Sequence, residues 1–400
     1  MAIQEAGPHL AVSTSAGDRP APVGSAQAAR LRELAAVFLR LGFTAFGGPA
    51  AHIAMMEDEA VVRRHWLTRE RFLDLLAMAN VLPGPSSSEI AIYLGYVRAG
   101  WPGLLVGGAC FIVPAVLLVT AIAWTYMRIG ALPQMAGVLY SIRPVVVAIL
   151  LQALWRLGRA AIRDATSVAV GITAAVLSLA GLAPFTVLVV SGIALTIARR
   201  MKTAGTGGIA ALLPLSTASA AGSSVTLTSL FLVFLKIGAM VFGSGYVLLA
   251  FLRADLVERL RWLTEQQLLD AVAVGQVTPG PVFTTATFIG YLVAGWTGAA
   301  VATLGIFLPA FLLVAVSGPF VARLRESRLV ASILDGVTVG SLALILVVTW
   351  QLGRAAVVDV ATAALAIGSG VLLLRFQLNA TWLIVAGAGI GMMLGITRAP

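Results

Sequence analysis

Apolar runs dominate this chain, and their spacing sorts it into membrane-length segments. Stretches long enough to cross a bilayer as helices fall at about 32–56, 101–127, 131–155, 165–180 and 182–198. A second series falls at about 226–251, 295–318, 329–352, 358–374 and 379–396. Each lies near the ~20 residues that a helical span needs. Two further segments, 70–98 and 266–293, are apolar but interrupted by NVLPGPSSSE and QVTPGPVFTT. Proline removes a backbone donor and glycine loosens the chain, so these segments predict re-entrant hairpins or discontinuous helices. The expected fold is all-α: a polytopic membrane protein of about 10–13 spans, the broken ones included.

Polar stretches frame two units. Residues 1–28 are small and polar and lack the charged start and apolar core of a signal peptide, which predicts a disordered tail. Residues 201–224 are rich in Gly, Ala, Ser and Thr and read as a linker, with a middle apolar enough for an extra span. That leaves one membrane unit over 29–200 and another over 225–400.

The two units are copies of each other. FLRLGFTAFGGP at 38–49 matches FLKIGAMVFGSG at 234–245, 196 residues later. Trp66-Leu67-Thr68 matches Trp262-Leu263-Thr264, Asp74 matches Asp270, and Pro83-Gly84-Pro85 matches Pro279-Gly280-Pro281. The spacing then slips by one: Gly100-Trp101 pairs with Gly295-Trp296, Pro114 with Pro309, and WRLGRAAIRD at 155–164 with WQLGRAAVVD at 350–359. Such ordered self-similarity is the mark of an internal duplication.

Composition supports the membrane reading. Of 400 residues, 59% are hydrophobic and 11% charged, against about 25% charged in an average soluble domain. The formal charge of +10 therefore reads as basic cytoplasmic loops, not as nucleic-acid binding. One cysteine, Cys110, and three histidines argue against an internal disulfide or a zinc centre, so no cofactor or metal is expected. The basic residues also orient the halves. Arg156, Arg159 and Arg163 crowd one loop whose mate keeps only Arg354, whereas the loop at Arg128 has a mate carrying Arg323, Arg325 and Arg328. The bias switches between equivalent loops, which predicts halves inserted in opposite orientation.

Inverted repeats with paired broken helices are the pattern of a secondary transporter, whose site lies at the repeat interface near mid-membrane. A helix restarting after Pro83-Gly84-Pro85 or Pro279-Gly280-Pro281 presents free N–H groups and a positive dipole end. Ser86, Ser87, Ser88, Thr284 and Thr285 add hydroxyls there, which together predict an anion cradle. The plainer reading is that they cap their own helices. The glycine breaks Gly47-Gly48-Pro49 and Gly243-Ser244-Gly245 form a second element. Seven residues before each stands a cation, Arg40 or Lys236, expected to face the interior and neutralise the anion; snorkelling to a headgroup is the alternative. Glu89 and His52 lack counterparts in the second half and are candidates for proton coupling. Asp74 and Asp270 fit helix-start or interfacial roles, and no catalytic group is assigned.

The segments FGGPAAH, RRHWLTRERFLD, LPGPSSSEIAIYLGYVRAGWPG, FGSGYVLLAFLRADLV and QVTPGPVFTTATFIGYLVAGW resemble the chromate ion transporter family, in particular its long, duplicated bacterial members. The resemblance runs from about residue 31 to 396. It implies chromate export across the bacterial inner membrane and a relation to sulfate. It also implies that the functional motifs fall on Gly47, Gly48, Pro49, Pro83, Gly84, Pro85, Gly243, Gly245, Pro279, Gly280 and Pro281. The expected partners are the oxyanion and the lipid bilayer, with a homodimer as one assembly and no nucleic acid. Two readings compete: a sulfate or other oxyanion exchanger on the same architecture, and a membrane enzyme acting on a phosphorylated lipid. The second would need a nucleophile–base pair or metal cluster, and the sequence offers no recognisable one.

Overall fold

The computed structural model describes residues 23–129, 133–204, 225–242, 245–317, 327–376 and 378–397. Among these, the first half comprises α1 (Val23–Thr44), α2 (Pro49–Glu57) running into a π-helical turn (Asp58–Arg63), α3 (Arg69–Ala79), α4 (Ser86–Ile129), α5 (Pro133–Ala161), α6 (Ala165–Leu179) and α7 (Pro184–Ala204). The second half repeats the order as α8 (Leu227–Met240), α9 (Leu248–Leu252) with a π-helical turn (Arg253–Arg259), and α10 (Glu265–Val277). A 3-10 turn (Val282–Thr284) and α11 (Thr285–Ser317) follow, then α12 (Arg328–Ala356), α13 (Val360–Phe376) and α14 (Ala380–Thr397). Helix α1 starts inside the stretch expected as tail, and α7 enters the expected linker; the rest of both lies outside the described residues.

The apolar runs at 32–56 and 226–251 are not single spans. The first is cut at Gly47-Gly48 and doubles back; in the second, α8 ends at Met240 and the chain returns from Leu248, with Lys236 against Asp255. Arg40 pairs with Glu59, and Arg64 Nη1 donates to Glu33 Oε1 at 2.8 Å, so the limbs of the α1–α2 hairpin lie antiparallel. The Pro-Gly-Pro segment makes a second hairpin. Its far end, Arg98, donates to the same Glu33 at 2.7 Å and its guanidinium lies 5.5 Å from the Trp66 ring centroid. Residues 33, 64, 66 and 98 thus share one level, and of the two readings of the Pro-Gly-Pro segment the re-entrant one applies. At Ala99–Gly100, and again at Ala294–Gly295, the chain reverses; both glycines have φ of 63°, a conformation that costs glycine little. The long limbs 101–129 and 296–317 then continue through the bundle.

Packing between mates settles the orientation of the halves. Gly158 of α5 lies against Leu342 of α12, and Gly353 of α12 lies against Val147 of α5. Gly353 is the mate of Gly158 and Leu342 the mate of Val147, so α5 and its own copy run antiparallel. An axis along the membrane normal would make them parallel. The halves are therefore inverted, with their pseudo-two-fold axis in the membrane plane.

The last two helices of each half are exchanged: α6 and α7 pack on α12, while α13 and α14 pack on α5. Gly192 of α7 meets Val337 and Gly340 meets Leu188, so α7 is antiparallel to α12. The α6–α7 turn comes beside Leu344 and Val348, between the middle and the last third of α12, and Gln152, two thirds of the way along α5, donates to the Leu373 carbonyl at 3.1 Å. Each half thus has three hairpins whose tips stop at mid-height and two helices that run through. Large apolar side chains such as Trp101, Leu105, Leu117 and Trp124 stay exposed on the outer face, as a lipid-facing surface requires. By length and composition five of the described helices could cross a membrane: α4, α5, α11 and α12, which run through, and α7, which packing makes a hairpin limb.

Candidate functional site

Hairpin tips inside a bilayer leave backbone groups without water, at a cost of several kcal/mol for each group left unpaired. Here the two halves satisfy each other. The Gly84 amide donates to the Val241 carbonyl at 2.8 Å, and the Gly280 amide donates to the Ala45 carbonyl at 3.0 Å. Val241 is the mate of Ala45 and Gly280 the mate of Gly84, so the two bonds are one contact repeated by symmetry. Each Pro-Gly-Pro tip is clamped by the first tip of the opposite half. An ideal Cβ on Gly84 would lie 3.7 Å from Ala310, and one on Gly280 would lie 2.8 Å from Ala115. Both glycines have positive φ, 142° and 92°, so turn geometry and close approach select glycine together.

The chemistry at the two tips is unequal. In the first half, Pro83 and Pro85 flank Gly84 and the helix restarts at Ser86, with the amides of Ser88 and Glu89 both bonded to the Pro85 carbonyl. Ser87, Ser88 and Glu89 are buried; neither Glu89 oxygen nor Ser88 Oγ has a hydrogen-bond partner. The Glu89 carboxyl folds back over Gly84, where a Cβ would come 2.5 Å from Oε1. In the second half, Pro279 and Pro281 flank Gly280, but Thr284 and Thr285 turn their hydroxyls onto the Pro281 and Val282 carbonyls, each at 2.8 Å. These hydroxyls donate to carbonyls of their own segment and accept from no helix amide, so they are tied down without acting as caps, and the expected two-sided cradle of hydroxyls is one-sided.

His52 adds to the same asymmetry. It is buried on α2, which Pro49 opens, and its Nε2–H donates to the Ala45 carbonyl at 3.1 Å. That carbonyl already receives the Gly280 amide, so His52 braces the clamp on the opposite half. Its Nδ1 has no partner, and Leu248 stands at its mate position.

Arg40 and Lys236 differ from expectation. Arg40 pairs with Glu59, and Lys236 Nζ lies 2.5 Å from Asp255 Oδ2. Glu59 and Asp255 are themselves mates, on the two π-helical turns. A cation near the bilayer core is stabilised by a carboxylate on the returning limb, so these residues join hairpin limbs and carry no bare charge. Asp270 also departs from the interfacial role. It is buried on α10, accepts Arg143 Nε and Nη2 at 2.9 Å each, and accepts the Tyr126 hydroxyl at 2.9 Å. The only advance sign of Arg143 was an arginine beside Pro144 inside an apolar run.

A cleft of about 640 Å³ opens beside the first tip, and most of its polar lining was missed in the sequence. Gly47 and Gly48 form one wall, with φ of 107° and 79°. Arg156 and Arg159 come from α5, Tyr246 follows the second glycine break, and Gln276 precedes the second Pro-Gly-Pro. The Tyr246 hydroxyl meets the Gln276 side chain, and Gln276 Nε2 is buried without a partner. Gly243 and Ser244 lie outside the described residues; Gly245 sits 3.8 Å (from an ideal Cβ) from the Phe283 ring.

The family model described as chromate transporter matches residues 32–197 and again 228–392. A chromate transport protein of Cupriavidus metallidurans is 34% identical over 97% of this chain and 97% of its own length. A probable chromate transport protein of Synechococcus elongatus is 33% identical over 83% of this chain and 87% of its own, and a chromate transport protein of Pseudomonas aeruginosa 32% over 80% and 81%. No solved structure matches the chain.

Proposed function

The chain belongs to the chromate transporter family, and from that premise we propose that it is a secondary transporter exporting chromate across the bacterial inner membrane, conferring chromate resistance. The observation that carries this reading is the pair of reciprocal bonds from Gly84 to Val241 and from Gly280 to Ala45. They put broken backbone from both inverted halves at mid-height, where alternating access needs its fixed site. At that level the Gly84 tip of one half lies against Val241 and Ala310 of the other, the Gly280 tip lies against Ala45 and Ala115, and the restarted helix at Ser86 supplies amides and hydroxyls suited to a tetrahedral oxyanion.

Energetics favour export. Expelling a dianion from a negative cytoplasm gains about 4.6 kcal/mol per 100 mV, twice the single-charge value. Glu89 and His52, buried and incompletely paired in the first half alone, are the groups proposed to couple proton exchange to this movement. The test uses everted vesicles carrying the chain, with the lumen made positive. Chromate accumulation is expected, and it should rise with the imposed potential. Chromate entry into intact cells without accumulation in everted vesicles would reverse the direction. Full displacement of chromate flux by sulfate would make the chain a general oxyanion exchanger.

A further inference from the structure

We propose that the cleft beside Gly48 is the cytoplasmic capture site for the oxyanion, with Arg156 and Arg159 as its charge ligands and Gln276 as a donor at its floor. This rests on the transport reading and names the residues through which the ion enters. Arg156 and Arg159 follow Gln152 towards the C-terminal end of α5, and Gly47 and Gly48 line the same cleft, so it leads from one membrane face down to the tips. That face is the basic one. Arg163, just past α5, and Arg199, near the end of α7, converge on Asp335, and Arg200 follows in the same helix. By the positive-inside rule this end faces the cytoplasm.

Among the described residues neither Arg156 nor Arg159 has a carboxylate within ion-pair distance. Arg159 lies 5.9 Å from the Trp155 ring centroid, and both residues line the cleft. Two free guanidiniums match the planar, bidentate recognition that oxyanions favour. Gln276 Nε2 is a buried donor without a hydrogen-bond partner, and Val277 and Thr278 alone separate it from the clamped Pro-Gly-Pro tip.

The pseudo-symmetric cleft at the opposite end, about 530 Å³, shows what the first would be without this role. There Gln351 occupies the position equivalent to Arg156, and Lys236, Arg253 and Arg259 are each held by Asp255, Glu258 or Glu265. Among the residues lining the two clefts, an anion therefore meets unpaired arginines at one mouth and paired cations at the other. That is the charge pattern for capture on the inside and release on the outside.

The test is chromate flux and equilibrium chromate binding with the full chain, in proteoliposomes and in detergent. Arg156→Gln, which gives the first cleft its mate's residue, and Arg159→Gln should each raise KM and Kd about tenfold or more, the effect of one charge-assisted hydrogen bond. Arg156→Lys, keeping the charge, should lose less, and Arg354→Gln at the other end should change neither value. If the wild type moves chromate and both glutamine variants keep its KM and Kd, the capture site is overturned and the transport reading stands. If the wild type moves sulfate but not chromate, and Arg156→Gln weakens sulfate, the site stands and the chromate reading falls. Movement of neither ion by the wild type removes both.

Discussion

The two Pro-Gly-Pro tips share one backbone plan and differ in what they leave open. At the second tip the hydroxyls of Thr284 and Thr285 are turned onto the backbone of their own segment, and Leu248 stands in place of a histidine. At the first tip, Glu89, Ser88 and one nitrogen of His52 are buried without partners. Unpaired buried polar groups are costly, so a stable fold retains them where a ligand or proton completes them. Duplication supplied two equal halves of a scaffold; the unpartnered carboxyl and imidazole stand at the tips of the first alone. The same holds for the clefts, where Arg156 faces one mouth and Gln351 the other.

Substitutions at paired positions test this contrast. The largest effect is expected at Asp270. Asp270→Ala strands Arg143 in the interior and should destabilise the fold by about 3–5 kcal/mol, seen as loss of monodisperse protein on heating in detergent. Asp74→Ala, at the half-buried mate, should cost clearly less. Equal losses would break the asymmetry of the two halves.

The glycine tips come next. Gly280→Ala drives a Cβ to within 2.8 Å of Ala115, which cannot swing away, and should cost about 1–3 kcal/mol. At Gly84 the nearest obstacle is the end of the Glu89 side chain, so Gly84→Ala should cost less and be partly rescued by Glu89→Ala. Thermal unfolding of the two variants should rank them in that order.

Glu89→Gln keeps shape and burial and should leave the unfolding temperature nearly unchanged while flattening the pH dependence of chromate flux. Thr285→Val at the opposite tip removes one bond to the Val282 carbonyl; it should cost about 1 kcal/mol and leave the pH profile intact. An unaltered profile in Glu89→Gln would assign that carboxyl a structural role.

The smallest effect is expected at Asp359, which caps α13 as its mate Asp164 caps α6. Its carboxylate accepts the Thr362 amide at 2.9 Å, and this bond holds its pKa below the ordinary aspartate value. A depressed pKa means that the cap stabilises the folded chain above the unfolded-state value and loses that contribution as pH falls through the folded one. Asp359→Asn should remove this acid dependence with little change at neutral pH, read from unfolding midpoints across pH 3–7.

Local sequence determined much of this protein. Apolar runs of membrane length, the repeated FGGP and Pro-Gly-Pro breaks, and the displaced arginine loops specify a duplicated, inverted helical membrane protein, because bilayer thickness and loop charge are read one segment at a time. Glu89 and His52 were visible as residues without a mate. Only the tertiary structure decided that 32–56 is a hairpin, that Arg40 and Lys236 are neutralised by Glu59 and Asp255, that Asp270 is a buried anchor, and that Gln276 and Arg156 share a cleft. Each of these depends on which distant limb lies across from a given side chain. Helices from one half exchange onto the other, and the partner that sets a buried charge's role is chosen by that packing.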